Sequence, residues 1–396
     1  MRRVEHTLTA TEVQHLAGQL LAPLLGAWPA VRTCTRDAVL AVLVYAAARV
    51  TSLTDACARL ASAPDSDIVR QRLARQVGDT DTLDRRLRGA LDASLPRALR
   101  RGRWVIAMDT TLIPYHGHPF RTADEIFRSQ PKGGTTHFHC YATAYVVRHG
   151  LRFTLAILPV RGGTPMHEVV RELRRRIVAA GIEPKLFLSD RGFHNARVVR
   201  YLQSARQPFL MPQAIHGKKP TSGPLTGLRA IRATHPTGWT RYSWTPADGR
   251  RVSVDLCVVR RRRADRRGHR AFLYACWGVR RRPADVYRVY RLRFGVETSY
   301  RQMNQVRVRT STRNPALRRL FVAVALLLRN LWAWLHWVVL AEPRRGGRRV
   351  RLERLRLRAM ANWLLHLAEQ VFGWIDHARA DHPPDEPLAT RRRLRT

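Results

Sequence analysis

The stretch RGRWVIAMDTTLIPY (residues 101–115) marks the point where the sequence changes from helical spacing to strand-like runs. Its apolar run VIAM has the length of a short buried strand and ends on an acid, Asp109. The next two runs, HFHCYATAYVV and LRFTLAILPV, predict a β-hairpin with its turn at His149 and Gly150. The sequence from residue 101 onwards therefore predicts a sheet that begins with three strands.

Helices and strands alternate after this hairpin. MHEVVRELRRRIVAAG predicts an amphipathic helix that ends at Gly181, and KLFLSD predicts a strand that ends on a second acid, Asp190. NARVVRYLQSARQ has helical spacing, and PFLMPQ predicts a fifth strand. This order predicts the α/β class, with helices packed on a mixed sheet.

Residues 212–283 break this alternation. After the loop GKKPTSGPLTG, the runs TRYSWT, RVSVDLCVV and AFLYACWGV predict an antiparallel β insertion of about three to five strands. The charge run RRRRADRRGHR (260–270) predicts a solvated hairpin tip, with contact to DNA as the alternative. Trp239, Trp244 and Trp277 are predicted as core residues, with base stacking as the alternative.

The N-terminal region has helical spacing throughout. Within it, SLTDACARLASAPDSDIVRQRLARQ has the helix, short turn, helix rhythm of a DNA-binding module, and its second helix carries Arg70, Arg72 and Arg75. A small helical bundle with a solvated basic face is the alternative interpretation. The sequence does not decide between these two.

Composition shifts divide the chain into five regions. They are a helical domain (1–98), with DNA binding as one of its two interpretations, the first part of the α/β domain (99–211), the β insertion (212–283), the second part of the α/β domain (284–340) and a basic C-terminal region (341–396). The last region holds one amphipathic stretch, LRAMANWLLHLAEQVFGWI, and a polar end that we expect to be disordered.

The stretch LFVAVALLLRNLWAWLHWVVL (320–340) is long enough to cross a membrane, but Arg329, Asn330 and His336 interrupt it. Charged residues at bilayer depth are costly, so we predict a buried core helix and no membrane partner. The N-terminus has no apolar signal segment, and the five cysteines include no CxxC pair. These features predict reduced thiols and a cytoplasmic, nucleoid-associated protein.

Charge is the dominant feature of the composition. The chain has 71 basic and 29 acidic residues and a formal net charge of +42. Codon bias can explain arginine in place of lysine, but it does not explain the shortage of acids. A field of this sign attracts polyanions, and nucleic acid is the commonest of these in cells. The charge therefore predicts a nucleic-acid partner.

One carboxylate stands in a basic, aromatic segment, YRLRFGVETSYRQMNQ (290–305). On a continuous helix Glu297 shares one face with Tyr290, Arg293, Tyr300, Arg301 and Asn304. The apolar stripe beside that face consists of Val289, Leu292, Val296 and Met303. Together with the two strand-end aspartates, this glutamate would form an all-oxygen site, which suits Mg²⁺ or Mn²⁺. Two such ions can clamp the attacking and leaving oxygens of a phosphoryl transfer.

These segments resemble the DDE transposases of insertion sequences, in the group with the YREK signature. That signature has Tyr, Arg, Glu and Lys in order, and Tyr290, Arg293 and Glu297 match it, whereas Asn304 stands at the lysine position. SDRGFHN resembles the second-acid block and MDTTLIPYHG the first-acid block. The resemblance covers roughly residues 100–340.

The resemblance implies a ribonuclease-H-like fold and metal-dependent strand cleavage and transfer at transposon ends. Asp109, Asp190 and Glu297 would be the catalytic acids and hold two Mg²⁺ (or Mn²⁺) ions. The residues that would contact DNA are Tyr290, Arg293, Arg301, Asn304, Arg307 and Arg191. Either Arg301 or Arg307 would supply the cation that Asn304 lacks. The partners would be the inverted repeats at the transposon ends and the target DNA, with a homodimer in the synaptic complex.

Two other functions stay open. One is a ribonuclease-H-like nuclease that cuts DNA but does not join it, and the other is an inactive relative that only binds DNA. A zinc site is a further alternative for His116, His118, His137, His139 and Cys140, although their spacing matches no known zinc finger.

Overall fold

The computed structural model describes residues 7–29, 33–148, 150–218, 222–262, 269–345 and 347–377. The helices are α1 (Ala10–Leu25), α2 (Arg36–Arg49), α3 (Leu53–Arg59), α4 (Ser66–Val77), α5 (Thr80–Ala93), α6 (Met166–Ala179), α7 (Ala196–Ser204), α8 (Gly227–Thr234), α9 (Pro283–Arg291), α10 (Gly295–Asn304), α11 (Pro315–Trp334) and α12 (Leu357–Phe372). The strands are β1 (Arg103–Pro114), β2 (Phe127–Lys132), β3 (Thr135–Arg148), β4 (Leu151–Val160), β5 (Glu183–Leu188), β6 (Phe209–Pro212), β7 (Gly238–Trp244), β8 (Val252–Arg262), β9 (His269–Trp277), β10 (Glu342–Arg344) and β11 (Gly347–Arg349).

One mixed sheet forms the centre of the protein. Within the described residues it has nine strands in the order β2-β3-β1-β5-β6-β9-β8-β7, with β4 paired to β3. The pairs β1–β5 and β5–β6 are parallel, and the remaining pairs of this sheet are antiparallel. The predicted order of strands and helices between residues 103 and 212 is confirmed, and β2 is an additional strand.

The predicted β insertion is confirmed, and it forms part of the main sheet. Its strand β9 pairs with β6 from Phe209–Trp277 to Pro212–Tyr274, so β7, β8 and β9 continue the central sheet. The pairing of Arg262 with His269 brings the two ends of the 260–270 charge run together, although residues 263–268 lie outside the described part of the chain. The insertion also contains the helix α8, which the strand patterns did not predict.

The N-terminal helices are confirmed, and side-chain caps explain where they begin. Thr9 and Glu12 form a reciprocal capping box at α1, and the hydroxyl of Thr35 accepts a hydrogen bond from the Ala38 backbone N–H at α2. The C-terminal helix α12 packs against α2 and α1. The hydroxyl of Ser62 donates to the carbonyl of Phe372 at the end of α12. The two ends of the described chain therefore share one helical layer.

The long helix α11 is the core helix that the sequence predicts. Together with the π-helical turn after it, it is long and apolar enough to cross a membrane, but 83% of its most apolar window is buried inside the protein. Its polar residues are used in packing: Asn330 Oδ1 accepts from the Thr154 N–H at 2.8 Å, and Asn330 Nδ2 donates to the Thr154 carbonyl at 2.9 Å. His336 Nε2 lies 2.7 Å from the carbonyl oxygen of Leu355. The polar interruptions of the apolar stretch are thus hydrogen-bonded contacts between elements.

A buried carboxylate joins three helices. Asp84 on α5 is 7% exposed and forms an ion pair with Arg319 on α11, which is 3% exposed. Its Oδ2 also lies 2.7 Å from Arg176 Nη2 on α6 and 3.2 Å from Arg88 Nε. Arg319 Nη1 donates to the Thr80 carbonyl as well. This cluster attaches the N-terminal helices to the sheet layer.

We expect Asp84→Asn to lower the free energy of unfolding by about 3 kcal/mol, because the buried guanidinium of Arg319 loses its counter-charge and Arg176 keeps only its pair with Glu172. Denaturant unfolding followed by circular dichroism measures this change. The matched control is Asp92→Asn on the same helix, whose pair with Arg100 is exposed and whose loss should cost less than about 1 kcal/mol. Equal effects of the two substitutions would contradict the role assigned to Asp84.

Candidate active site

Two aspartates lie side by side where the parallel pairing of β1 and β5 ends. The last parallel pair is Ala107 with Leu188, and Asp109 and Asp190 each lie two residues further along their strands. Asp190 follows β5 as predicted, and its Oδ1 accepts a hydrogen bond from the Gly192 N–H at 2.9 Å. The prediction that a strand ends on Asp109 is wrong, because β1 continues to Pro114 by pairing with β3. Asp109 is therefore in mid-strand and only 7% exposed.

The segment that carries the glutamate is not one continuous helix, which corrects the sequence prediction. Helix α9 ends at Arg291, a 3₁₀ turn spans Leu292–Phe294, and α10 begins at Gly295. A 3₁₀ turn advances by about 120° per residue, so side chains after it leave the face that a straight helix would give them. Leu292, predicted in the apolar stripe, is 43% exposed, whereas Met303 is fully buried as predicted.

Gly295 marks a close approach between the start of α10 and the sheet. A Cβ at this position would lie 1.5 Å from Nη2 of Arg152 on β4. The absence of a side chain therefore leaves room for the Arg152 guanidinium under α10. Glu297, two residues later, is exposed and has no ion pair within the described residues, although Arg293 and Arg301 are near it in sequence.

The arginine of the signature reaches the first aspartate. Arg293 Nη1 lies 3.3 Å from Asp109 Oδ2, and both side chains are 10% exposed. Arg293 Nε donates to the hydroxyl oxygen of Tyr290 at 3.1 Å. The ring of Tyr290 is buried against the sheet, near Tyr274 of β9. Tyr290 therefore positions the guanidinium that pairs with Asp109.

Burial and neighbouring acids shift the pKa of Asp109. Burial raises this pKa to about 6, and the charges of Asp190 and then Glu297 add to the effect. The charge of Arg293 and the backbone N–H of Thr110 act in the opposite direction. Asp190 and Glu297 thus both lie within electrostatic reach of Asp109. A cation among these carboxylates would relieve their mutual repulsion.

The three acids do not form a preformed metal-coordination shell in this conformation. Among the residues that the structure describes, no group of three or more His, Cys, Asp or Glu side chains is close enough to hold a metal ion. The guanidinium of Arg293 instead lies against the carboxylate of Asp109. The described conformation therefore has an arginine at the position where the sequence predicts a divalent ion.

The other predicted DNA-contacting residues are spread around this cluster. Arg301 on α10 and Arg191 in the turn after Asp190 are exposed. Asn304 is exposed at the end of α10, and its Oδ1 accepts from Arg307 Nε at 3.0 Å. Arg307, rather than Arg301, is thus the cation that contacts the position where the resembling family has lysine.

Two hydroxyl groups that sequence reasoning missed attach α10 to the sheet. The hydroxyl of Tyr300 lies 2.6 Å from the hydroxyl of Thr143, and Thr143 is the cross-strand partner of Asp109. The helical pattern places Tyr300 on the face of Glu297, but the register of β3 against β1 is needed to identify Thr143. This contact holds the glutamate helix over the strand of the first aspartate.

The histidines considered for zinc do not meet. His116 and His118 are exposed in a loop, whereas His139 on β3 is 6% exposed. Burial, with a smaller effect of the Arg318 charge, lowers the pKa of His139 to about 4. Its Nε2 is buried without a hydrogen-bond partner within the described chain. His139 is therefore a neutral core residue packed against the ring of Tyr115.

Comparisons with known proteins agree with this arrangement. A family model described as a transposase DDE domain matches residues 100–331. Among solved structures, the chain is similar to the piggyBac transposase in a cryo-EM structure of its synaptic complex with hairpin DNA, with a TM-score of 0.52 and 12% sequence identity. The match covers 94% of this chain and 82% of that one. No curated protein matches the sequence. At this identity the likeness concerns the fold, and the predicted ribonuclease-H-like α/β class is confirmed.

We expect His139→Leu to reduce the loss of stability between pH 7.5 and pH 5. The pKa of His139 is about 4 in the folded protein and about 6.5 when unfolded, so the unfolded chain binds the extra proton as pH falls below 6.5. At pH 5 this difference costs the wild type about 2 kcal/mol. Unfolding free energies of both proteins at the two pH values measure it, and parallel pH profiles would contradict it.

Proposed function

The chain belongs to the family of transposases with a DDE domain, and on this premise we propose that it cleaves DNA at the ends of an insertion sequence and joins the ends to a target. The observation that carries the proposal is the cluster around Asp109. This buried carboxylate pairs with Arg293, and its pKa is raised by burial, by Asp190 and by Glu297. A buried carboxylate with a perturbed pKa beside a signature arginine is typical of a reaction centre.

Asp109, Asp190 and Glu297 would hold two Mg²⁺ (or Mn²⁺) ions. The donors fit such ions in chemistry, since their oxygens are hard ligands and their mutual repulsion favours a divalent cation. When bound, the ions would stabilise the charge of the reacting phosphate and activate water, and then the freed 3′-hydroxyl, as nucleophiles. Arg293 would have to leave Asp109 for the carboxylate to become a ligand.

The chain's own cations would hold the DNA. Arg293 neutralises Asp109 in the free protein, and the same guanidinium would then be available to a phosphate of the transposon end, oriented by Tyr290. Arg191 and Arg301 are exposed beside Asp190 and Glu297, where they would contact the DNA backbone. Their role is to fix the scissile phosphate against the carboxylates.

The partners of the proposed reaction are double-stranded DNA and a second copy of the chain. The DNA comprises the inverted repeats at both transposon ends and a target duplex. The similar piggyBac structure is a synaptic complex, and we propose that two copies of this chain likewise hold two ends as a homodimer. The reaction would take place in the cytoplasm, on the nucleoid.

We expect Asp109→Asn, Asp190→Asn and Glu297→Gln each to reduce strand cleavage roughly a thousandfold while the protein still binds DNA. The substrate is a duplex with the inverted repeats that flank the gene, incubated with Mg²⁺ or Mn²⁺ and analysed on denaturing gels. Asp124→Asn, which removes an acid from an exposed ion pair with Arg161, is the matched control and should cleave like the wild type. Full activity of Asp109→Asn would refute the proposal.

Joining of pre-cleaved ends separates the proposed function from its rivals. A transposase transfers a pre-cleaved 3′-end into target DNA, whereas a nuclease of the same fold cuts intact ends only. A protein that binds the repeats but neither cuts nor joins them with either ion is the inactive relative. Chelation of the divalent ions should stop both cleavage and joining in a transposase.

We propose that Arg307 replaces the cation that Asn304 lacks. We expect Arg307→Gln to reduce the slope of log binding constant against log salt by about 1 for transposon-end DNA, because one phosphate contact is lost. The double substitution Asn304→Lys/Arg307→Gln should restore the wild-type slope. Fluorescence anisotropy titrations between 50 and 300 mM salt, about the range where such slopes are resolved, measure it. An unchanged slope in Arg307→Gln would contradict this assignment.

A further inference from the structure

The β insertion carries a disproportionate share of the positive charge. Residues 212–283 contain 17 basic and three acidic residues, against 71 and 29 in the whole chain. Asp248 is paired with Arg200 of α7. Asp255 lies in the middle of β8, and Asp265 lies outside the described residues. The insertion alone therefore carries an excess of 14 basic over acidic residues.

Four of the arginines line a cleft between α8 and the β8–β9 hairpin. The cleft has a volume of about 770 Å³, and its basic lining consists of Arg229, Arg232, Arg260, His269 and Arg270. The remaining lining residues are Ile215, Leu225, Ala233 and Ala271, so no acidic side chain lines it. A cleft with this lining attracts anions.

The walls of the cleft are fixed by packing and hydrogen bonds. Leu228 of α8 packs on the sheet against Leu256, Val258 and Leu273, and these four residues form a small separate core. Arg260 Nε donates to the His235 carbonyl at 2.8 Å, and its Nη2 donates to the carbonyl oxygens of Arg232 and Ala233 at the end of α8. Arg260 thus ties β8 to the last turn of α8.

Two of the other arginines keep donors for a ligand. The side chain of Arg232 has no ion pair or hydrogen bond within the described chain. Arg229 uses Nε for the Gly217 carbonyl at 2.8 Å, which leaves its terminal nitrogens. The guanidinium of Arg270 instead stacks on the ring of Phe272, which packs in the cluster of Tyr290. Arg229 and Arg232 are therefore the cleft arginines that keep free donors and have no ion pair within the described residues.

The cleft and the acids lie on opposite faces of the sheet. Side chains alternate along a strand, and Leu256 and Val258 face α8, whereas Cys257 and Val259 pack in the cluster that contains Tyr290 of α9. Ala107, two residues before Asp109 on β1, belongs to that same cluster. DNA in the cleft would therefore not be the strand that the carboxylates hold.

From these observations we propose that the cleft binds the phosphate backbone of a second duplex DNA segment, separate from the one at the carboxylates. Guanidinium groups match phosphate oxygens in geometry as well as charge. No Tyr, Trp or Phe lines the cleft, so it lacks the stacking surfaces with which proteins hold unpaired bases or nucleotides. The inference rests on DNA being the substrate, as proposed above.

The test compares Arg229→Gln/Arg232→Gln with a control that removes equal charge elsewhere. The control is Arg97→Gln/Arg171→Gln, since these arginines are exposed and lie outside the insertion. Binding to a random-sequence duplex is measured by anisotropy over a range of salt concentrations. The cleft variant should reduce the salt slope by about 2, or about 1 for each lost phosphate contact, and the control should leave it near the wild-type value.

A second variant guards against misfolding, because Arg229 also contacts backbone. Arg232→Gln alone removes no observed hydrogen bond and should reduce the slope by about 1. Equal slopes in wild type and both cleft variants, or equal losses in cleft and control variants, would overturn the proposal. So would inorganic pyrophosphate binding that the cleft variants abolish while duplex binding is unchanged, because the cleft would then take small phosphates.

These outcomes are distinct from failure of the proposed function. If the salt slope of duplex binding falls in the cleft variants while wild-type protein neither cleaves nor joins DNA, binding of a second DNA segment in the cleft is supported and the transposase reaction is refuted. If Asp109→Asn abolishes cleavage while the cleft variants bind normally, the reaction is supported and the cleft is not a DNA site.

Discussion

The candidate site depends on one buried ion pair, between Asp109 in the middle of β1 and Arg293 in the turn before α10. A carboxylate inside a sheet requires a nearby cation, and here it comes from a residue 184 positions later in the chain. Arg293 lies in the 3₁₀ turn between α9 and α10, where Leu292 is exposed and the ring of Tyr290 is buried. Glu297 follows this turn on α10 and is exposed, and its charge acts on Asp109.

Sequence patterns predicted the main elements because those elements depend on local residues. Apolar runs such as VIAM and LRFTLAILPV form strands, and Asp109 and Asp190 follow the apolar runs of β1 and β5. The continuation of β1 beyond Asp109 depends on β3 and has no local signal. The short helix α8 was missed because its stability comes from packing Leu228 on the sheet rather than from a long apolar repeat.

The sequence identified only some residues of the candidate site, again because only local signals can be read from it. The spacing of Tyr290, Arg293 and Glu297 is such a local signal, and the two aspartate blocks add Asp109 and Asp190. The partner of Asp109 across the sheet, Thr143, follows only from the strand register, and the contact of Arg307 with Asn304 only from how the chain leaves α10. A helical wheel assumes a straight helix, which is why it misplaced Leu292.

The pairing of β9 with β6 has a consequence for the size of the protein. An insertion held by two loops can be shortened without harm to its host, but this one covers an edge of the central sheet. Without residues 213–282, β6 would present unpaired N–H and C=O groups and would be a template for aggregation. The β insertion between β6 and α9 is therefore a structural part of the DDE domain. A smaller version of this protein would need another strand or a helix to cover the edge of β6.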